Sequence, residues 1–412
     1  MNNWSVYKIE NICDIKSGKR IPLGFDFVIN ETQHPYIRAR DIKNGRINTD
    51  DLIYLDDSTF AKIKKYIIEE NDIAITIVGA SIGDIGFATK EVNGFNLTEN
   101  AVRLTNFKDN VSSQYLFYLL VQNQYKEFMQ TIAGGAAQPK LGIYKIQRIK
   151  VQLPPLPTQQ KIASILSAYD KLIQNYKKQI EALQTAASEL YKEWFVRFRF
   201  PGWQNAKFEN GIPEGWKVER LGKLVEIKSG KRLPQGYDFS DSPTSHPYIR
   251  ARDIKHGNID SNDFAYISDE VHKKLKRYIV DENDILLTIV ANIGDVGYVN
   301  KSLQGFNLTE NAVRLTHYSE RIEPRYLCYY LSQPATKIYM EGLAVGAAQA
   351  KLGIYKIETI KVLLPNINIQ KDFSRRITLI HTKIDNLNKQ ITNLTQQRDL
   401  LLPRLMSGKL EV

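Results

Sequence analysis

The sequence of 412 residues contains only two cysteines, Cys13 and Cys328. Two cysteines cannot build a disulfide framework, and no C-x-x-C pair marks a metal-binding or redox motif. The chain also lacks any run close to the roughly 18 consecutive apolar residues of a membrane span. Its first residues, MNNWSVYKIENICDIKSGKR, lack the apolar core of a secretory signal. We therefore expect a cytoplasmic protein that does not enter membranes and whose cysteines are reduced core residues.

The short motifs of common catalytic sites are absent as well. There is no G-x-x-x-x-G-K-[ST] phosphate loop, no G-x-G-x-x-G after a strand and no H-E-x-x-H zinc motif. A G-x-S-x-G nucleophile elbow is missing, and so is an N-P-P-[YF] or D-P-P-[YF] loop for adenine methylation. IGDIG at 82–86 and IGDVG at 293–297 are glycine-rich, but a tight turn between strands explains them. The pattern predicts no catalytic residue and no metal site.

Positive charge, by contrast, is in excess. The chain has 56 Lys and Arg against 45 Asp and Glu, a formal net charge of +11. This balance suggests a polyanionic partner, and a merely solubilising surface is the alternative that charge alone leaves open.

An internal duplication covers nearly the whole chain. GFNLTENAVRLT occurs at 94–105 and again at 305–316, and HPYIRARDIK occurs at 34–43 and at 246–255. The offset is 212 in the first part of the repeat and 211 after the second copy loses one residue, beyond position 290. Repeats of about 200 residues are far longer than the 20–50 residues of solenoid units. The chain therefore consists of two domains of shared ancestry and shared fold.

Each copy begins with a globular part that reads as β-rich. Short apolar runs such as IAITIV and ILLTIV are broken by Gly, Asn and Asp, which is typical of strands and turns. Within it, the segments 113–130 and 324–341 are the best predicted helices.

A heptad stripe follows each globular part. Its apolar positions alternate in steps of four and three, the spacing of a coiled coil, and the two stripes are offset by 211. The predicted interface positions in the first copy are Ile162, Leu166, Tyr169, Ile173, Tyr176, Ile180 and Leu183. Those in the second copy are Phe373, Ile377, Ile380, Ile384, Leu387, Ile391 and Leu394. Pro403 should end or kink the second helix early.

These patterns predict an α+β protein with internal pseudo-twofold symmetry. Two similar β-rich domains are expected to be separated by two long helices that pair as a coiled coil, each roughly 50 Å long at 1.5 Å per residue. An antiparallel pair keeps the links short. The predicted boundaries are 1–153 for the first β-rich domain, 154–198 for the central helix, 199–364 for linker and second domain, and 365–412 for the C-terminal helix.

Basic, polar and aromatic residues recur at equivalent places in both copies. Lys and Arg can neutralise phosphates, Gln can pair with adenine and Arg with guanine, whereas solvated turns are the simpler explanation. The candidates in the first copy are Lys16, Lys19, Arg20, Arg38, Arg40, Lys43, Gln138, Lys140, Tyr144 and Lys145. Those in the second copy are Lys228, Lys231, Arg232, Arg250, Arg252, Lys255, Gln349, Lys351, Tyr355 and Lys356.

The order of these segments resembles the DNA-specificity subunit of type I restriction–modification systems. The markers are GFNLTENAVRL, AAQPKLGIYKIQRIKVQLPPLPTQQKI, LYKEWFVRFRFPG, IPEGWKVERLG and LLPRLMSGKLEV, and they span essentially the whole chain. Each marker alone is modest, but their duplicated order is specific.

The resemblance implies a non-catalytic subunit with two target-recognition domains, each reading one half of a split double-stranded DNA site. It also implies long helices that set the spacing and dock two methyltransferase subunits, which a restriction/translocase subunit joins. The cofactors S-adenosylmethionine, ATP and Mg²⁺ are expected on those partners and none on this chain. A catalytic enzyme with an unrecognised site and a DNA-binding scaffold blind to sequence are the rival hypotheses.

The close similarity of the two copies adds one expectation. Two like domains related by a pseudo-dyad should read half-sites that are nearly inverted repeats. The copies differ at 24–33 against 236–245, at 79–81 against 291–292 and at 129–135 against 340–346. If these loops touch bases, the two half-sites differ at one or more positions.

Overall fold

A computed structural model describes residues 4–134, 139–255, 257–261, 263–344 and 350–412. The chain divides into two compact units, Met1–Lys177 with Asn388–Val412, and Lys178–Leu387. Both units mix helices and strands, as the sequence predicts.

The first unit is built around a six-stranded sheet in the order β2-β10-β7-β8-β5-β4, with a three-stranded sheet β6-β3-β9 and a pair β1-β11. The strands are β1 (Ser5–Lys8), β2 (Asp14–Ser17), β3 (Pro35–Ile37), β4 (Ile42–Lys43), β5 (Gly45–Ile47), β6 (Ile53–Tyr54), β7 (Ile73–Thr76), β8 (Ile85–Phe87), β9 (Asn96–Leu97), β10 (Ala101–Thr105) and β11 (Lys150–Leu153). The helices are α1 (Asp57–Ile63), α2 (Ser113–Leu120), α3 (Asn123–Ala133), α4 (Ile143–Gln147) and α5 (Leu156–Tyr191), the last of which continues into the second unit.

The second unit repeats this plan. Its sheets are β15-β23-β20-β21, β19-β16-β22, β17-β18, β14-β24 and β12-β13. The strands are β12 (Phe208–Glu209), β13 (Ile212–Pro213), β14 (Lys217–Arg220), β15 (Glu226–Ser229), β16 (Pro247–Ile249), β17 (Ile254–Lys255), β18 (Asn258–Ile259), β19 (Ala265–Tyr266), β20 (Ile285–Thr288), β21 (Val296–Tyr298), β22 (Asn307–Leu308), β23 (Ala312–Thr316) and β24 (Lys361–Leu364). The helices are α6 (Asp269–Leu275), α7 (Pro324–Leu331), α8 (Pro334–Leu343), α9 (Ile354–Ile357) and α10 (Ile367–Met406), which ends in the first unit.

The duplicated segment GFNLTENAVRLT supplies a central strand in each unit. In the first unit β10 lies between β2 and β7, with Val102 opposite Ser17 on one side and Ile75 on the other. All five residues of β10 are buried. A strand that is paired on both edges and covered on both faces is the least exposed element of such a fold.

Two predicted helices are each split in two by the structure. The segment 113–130 forms α2 and α3, because Gln122 between them is extended (φ −65°, ψ 142°). The Gln122 side-chain amide donates to the Leu119 carbonyl at 3.0 Å, which satisfies part of the end of α2. In the second copy Pro334 begins α8, where its fixed φ suits the first helical turn. The apolar periodicity continues across the break and therefore hides it.

Pro403 was predicted to end or kink the second long helix early, and the first alternative is wrong because the helix does not end there. Helix α10 continues to Met406. A proline removes one intrahelical hydrogen bond, but only the last turn lies beyond this one. Leu405 and Met406 in that turn are buried against the core of the first unit, and this burial offsets the lost bond.

Both cysteines are free and buried, as the sequence predicts. Burial raises the pKa of Cys13 and of Cys328 to about 12, so both thiols stay protonated at neutral pH.

Equivalent positions of the two long helices carry different polar contacts. In the first unit Asp170 of α5 accepts from the Tyr118 hydroxyl at 2.5 Å and pairs with Arg398 of α10 at 2.6 Å. In the second unit His381 stands at the position of Asp170, and its Nε2 lies 3.0 Å from the Tyr329 hydroxyl. Burial, with the nearby Arg325 charge, lowers the pKa of His381 to about 4.

The lowered pKa of His381 makes the stability of the second unit acid-sensitive. The unfolded chain binds this proton near pH 6.5 and the folded chain only near pH 4. The stabilisation is therefore complete above pH 6.5 and is lost as the pH falls towards 4, by about 2–3 kcal/mol. We expect His381→Gln to lose less stability than the wild type in urea unfolding between pH 7.5 and 4.5. An acid loss in His381→Gln as large as that of the wild type would contradict the assignment.

Candidate nucleic-acid interface

Two of the three predicted basic clusters meet the duplicated segment at one groove in the first unit. The groove has a volume of about 1000 Å³ and is lined by Arg20–Phe27, by Tyr36, by Arg38–Arg40 and by Thr98–Asn100. The segments come from IKSGKR and the loop after it, from RARDIK and from GFNLTENAVRLT. Residues separated by up to 80 positions therefore share one surface.

Backbone contacts fix the basic turn on the duplicated segment. The Gly18 N–H donates to Ala101 O at 3.1 Å and the Lys19 N–H donates to Leu97 O at 2.8 Å. A Cβ at Gly18 would lie 2.1 Å from the Thr98 carbonyl oxygen, so only glycine fits. The second unit repeats this geometry, with Gly230 N–H on Ala312 O at 3.1 Å.

A buried tyrosine closes the same turn in each unit. The Tyr36 hydroxyl donates to the Lys19 carbonyl at 2.9 Å, and Tyr248 donates to Lys231 O at 2.6 Å. Burial raises the pKa of both phenols to about 12, so each remains a donor at neutral pH. Asn96 supports the segment from below by donating to the Ile63 carbonyl at 3.0 Å. These bonds hold the basic side chains on a rigid platform.

Arg20 and Arg232 are highly exposed cations of the predicted set. Their side chains are 83% and 76% exposed, and each meets one carboxylate, Glu99 at 3.6 Å and Glu310 at 3.2 Å. Exposed ion pairs of this kind contribute little and exchange readily. Both arginines can therefore turn to a phosphate or a base edge.

The arginines of RARDIK form more ion pairs within the protein than Arg20 and Arg232 do. Arg38 binds Asp41 through two nitrogens, at 2.9 and 3.0 Å, and also contacts Asp51. Arg40 is more exposed and pairs with Asp51 at 2.7 Å. In the second unit Arg250 binds Asp253 at 3.1 Å and Arg252 binds Asp263 at 2.6 Å. Arg38 and Arg250 hold a turn, whereas Arg40, which lines the groove, and its counterpart Arg252 are more exposed.

The third predicted cluster is connected by backbone hydrogen bonds to Asn100, which lines the groove. The Ile77 N–H donates to Asn100 O at 2.8 Å, and the Leu141 N–H donates to Ile77 O at 2.8 Å. Lys140 and Tyr144 are exposed there. The second unit has the same ladder from Asn311 through Ile289 to Leu352, with Lys351 and Tyr355 exposed.

Two lysines of this cluster are held by helix ends. Lys145 Nζ donates to the Ile132 carbonyl near the end of α3, and Lys356 Nζ donates to Leu343 O at 2.6 Å at the end of α8. A lysine at a helix C-terminus satisfies open carbonyls and the helix dipole. This role explains both residues without DNA. Gln138 and Gln349 lie outside the residues that the structure describes.

The remaining candidates do not line the groove, and four of them lie on strands. Lys16 and Lys43 are exposed on β2 and β4. In the second unit Lys228 pairs with Glu226 at 3.0 Å and Lys255 pairs with Asp260 at 3.0 Å. Lys19 and Lys231 are exposed beside the groove turn, and Lys19 Nζ lies 5.8 Å above the Tyr66 ring.

Thr98, Glu99 and Asn100 of the duplicated segment also line the groove, although none of them was among the predicted binding residues. Leu23, Phe25 and Phe27 are further groove residues that were not predicted. A signal was available for Phe25 and Phe27, because both lie in the segment 24–33, where the two copies differ.

Within the described residues no group of three or more His, Cys, Asp or Glu side chains could hold a metal ion. Over the same part of the chain, no helix has the length and apolarity to cross a membrane.

Both units present exposed basic side chains on a turn that is hydrogen-bonded to the duplicated segment, and clustered basic side chains of this kind are typical of a protein that binds nucleic acid. The family model for the type I restriction modification DNA specificity domain matches residues 1–185 and 213–396. The chain belongs to this family, and it is a DNA-specificity subunit rather than a catalytic one.

The relatives agree with this assignment. The chain is 29% identical to the type I restriction enzyme MjaIX specificity subunit of Methanocaldococcus jannaschii, over 100% of this chain and 94% of the relative. It is 22% identical to the EcoKI specificity subunit of Escherichia coli, over 87% and 78%. The crystal structure of the type I S subunit from M. genitalium superposes with a TM-score of 0.63 at 19% identity, over 98% and 96%, and supports the fold.

Proposed function

We propose that each recognition domain of this specificity subunit reads one half of a bipartite DNA target, through the groove that carries Arg20 in the first unit and its counterpart around Arg232 in the second. The observation that supports this most is the duplication of the groove platform itself. Gly18 and Gly230, Tyr36 and Tyr248, and the Thr98 and Thr309 turns make the same bonds in both units. Two equal platforms suit two similar half-sites.

The two long helices are proposed to run antiparallel and to set the half-site spacing. In the first unit the early part of α5 meets the late part of α10, through Asp170 and Arg398 at 2.6 Å. In the second unit the ring of Trp194, just after α5, lies 6.1 Å from the ring of Phe373, near the start of α10. Opposite ends therefore pair in each unit, which supports the antiparallel order.

The predicted stripe positions agree with this proposal. None of the named stripe residues from Ile162 to Leu183 or from Phe373 to Leu394 is exposed. With 36 residues, α5 is about 54 Å long at 1.5 Å per residue. This length is about one and a half turns of B-DNA at 34–36 Å per turn, and it bounds the separation of the half-sites.

Methyltransferase and restriction/translocase subunits are the proposed protein partners, with two methyltransferase subunits docking on the helices. S-adenosylmethionine, ATP and Mg²⁺ are assigned to those partners. The domain boundaries 1–153, 154–198, 199–364 and 365–412 remain part of this proposal.

Methylome sequencing of cells that carry the whole system tests the proposed readout. We expect a bipartite methylated motif whose halves are nearly inverted repeats, and the motif should vanish when this chain is deleted. Two unrelated half-sites would refute the near-palindromic target. A motif that persists after deletion would refute the specificity role itself.

Removing the exposed arginines should weaken DNA binding in a salt-dependent way. Each phosphate contact contributes a slope of about −0.9 in log K against log salt concentration. We expect Arg20→Ala and Arg232→Ala each to reduce the slope by about 1, and the double variant by about 2, in binding titrations with target duplex. Arg375→Ala removes an arginine of similar exposure, 75%, on α10 and should leave the slope unchanged. Equal slopes for all variants would show that neither groove touches phosphates.

A further inference from the structure

The loops after IKSGKR are anchored alike in the two units. In the first, the Val28 N–H donates to Tyr54 O at 3.0 Å and the Phe27 ring packs edge-on against Tyr36 at 5.1 Å. In the second, the Ser240 N–H donates to Tyr266 O at 2.8 Å and Phe239 packs on Tyr248 at 5.3 Å. Equal anchors place equivalent loop positions at the same point of each domain.

The exposed side chains on these matched loops differ in chemistry. Leu23 lines the groove of the first unit and is fully exposed, as is Ile29 on the same loop. The equivalent residues of the second unit are Gln235 and Asp241, which are also exposed. Single exposed apolar residues are common on protein surfaces. Here two exposed apolar residues lie on one loop beside a groove that contains arginines. Both are replaced by polar residues in the other copy, so the difference between the two domains is localised to this loop.

Folding does not account for Leu23 and Ile29, because neither is buried against a core. An apolar side chain at a DNA surface can contact the 5-methyl group of thymine, whereas Gln pairs with the hydrogen-bonding edge of adenine and Asp accepts from cytosine. The same loop position can therefore read a methyl group in one half-site and a hydrogen-bonding edge in the other.

We infer that Leu23 and Ile29 of the first domain, and Gln235 and Asp241 of the second, are the specificity-determining residues that make the two half-sites differ. The first half-site carries thymine at the position that Leu23 reads, and the second half-site carries a different base pair there. This inference rests on the proposed function, and it converts a nearly palindromic target into one with a defined asymmetry.

An exchange of these residues between the domains tests the inference in cells that carry the whole system. Leu23→Gln with Ile29→Asp should convert the first half of the methylated motif to the sequence of the second. Gln235→Leu with Asp241→Ile should convert the second half to the first. Both exchanges alter exposed side chains, so the melting temperatures of the purified chains should match the wild type.

The second measurement compares the target duplex with one in which this thymine is replaced by uracil, which lacks only the 5-methyl group. The loss of one methyl contact should weaken binding of the wild-type complex to its target duplex about fourfold. The Leu23→Gln variant should not distinguish the two duplexes.

The inference would be overturned by identical halves in the wild-type motif. It would also be overturned if both exchanges left the motif unchanged, or if both abolished modification without changing the motif. The proposed function fails separately, if deleting the chain leaves the methylated motif in place.

Discussion

Arg103→Met is expected to destabilise the first unit by about 3–5 kcal/mol. Arg103 stands in the middle of β10 and is 5% exposed, and its Nη1 lies 2.6 Å from Oδ2 of Asp72, which is 3% exposed. Removing one partner of a buried pair leaves an uncompensated charge, which costs more than the pair itself contributes. Urea unfolding of the full chain, monitored by far-UV circular dichroism, measures this loss of stability.

Arg20→Met is the matched control for this substitution. It makes the same chemical change at a side chain that is 83% exposed, so unfolding should shift by less than about 0.5 kcal/mol. The double variant Arg103→Met with Asp72→Asn should recover part of the loss, because no buried carboxylate remains. A loss below about 1 kcal/mol for Arg103→Met would contradict the structural role of the pair.

Gly230→Ala is the second substitution with a large expected effect, about 3 kcal/mol. The added Cβ would lie 2.0 Å from the Thr309 carbonyl oxygen and 2.6 Å from that of Leu308. Backbone atoms cannot swing aside as a flexible side chain can, so overpacking here costs at the upper end of its usual range. The displaced turn carries Lys231 and Arg232, and DNA binding should weaken as well.

Gly342→Ala, in helix α8 of the same unit, serves as the control. A Cβ at Gly342 meets nothing within 4 Å, and alanine is the better helix former by about 1 kcal/mol. The denaturant midpoint of Gly342→Ala should therefore equal or slightly exceed that of the wild type. A midpoint of Gly230→Ala equal to that of Gly342→Ala would contradict the steric explanation.

Several features of this fold could be read from residue order. The duplication follows from identical segments at a constant offset, and the two long helices follow from the steps of four and three. The break between α2 and α3 could not be predicted, because the apolar pattern does not change there, whereas Pro334 within 324–341 was an available signal for the break between α7 and α8. The persistence of α10 past Pro403 depends on Leu405 and Met406, whose burial comes from the rest of the first unit.

The candidate site was predictable as segments and not as individual side chains. IKSGKR and RARDIK do meet at one groove, but Arg38 is bound to Asp41 and Lys145 to a helix end. Arg103, within the segment that occurs twice, was not recognised as buried. Its partner Asp72 lies 31 positions away, beyond the reach of any local pattern.

The sequence alone determined that this protein is a duplication with two like domains and two long helices, because repetition and periodicity can be seen without the fold, and its markers carried the resemblance to a specificity subunit. The tertiary structure decided which of its repeated cations are free to meet DNA and which are consumed by carboxylates and carbonyls. Only folding brings Glu99 to Arg20, Asp51 to Arg40 and Asp72 to Arg103. Electrostatic pairing depends on distance in space, and that distance is set by the packed sheet.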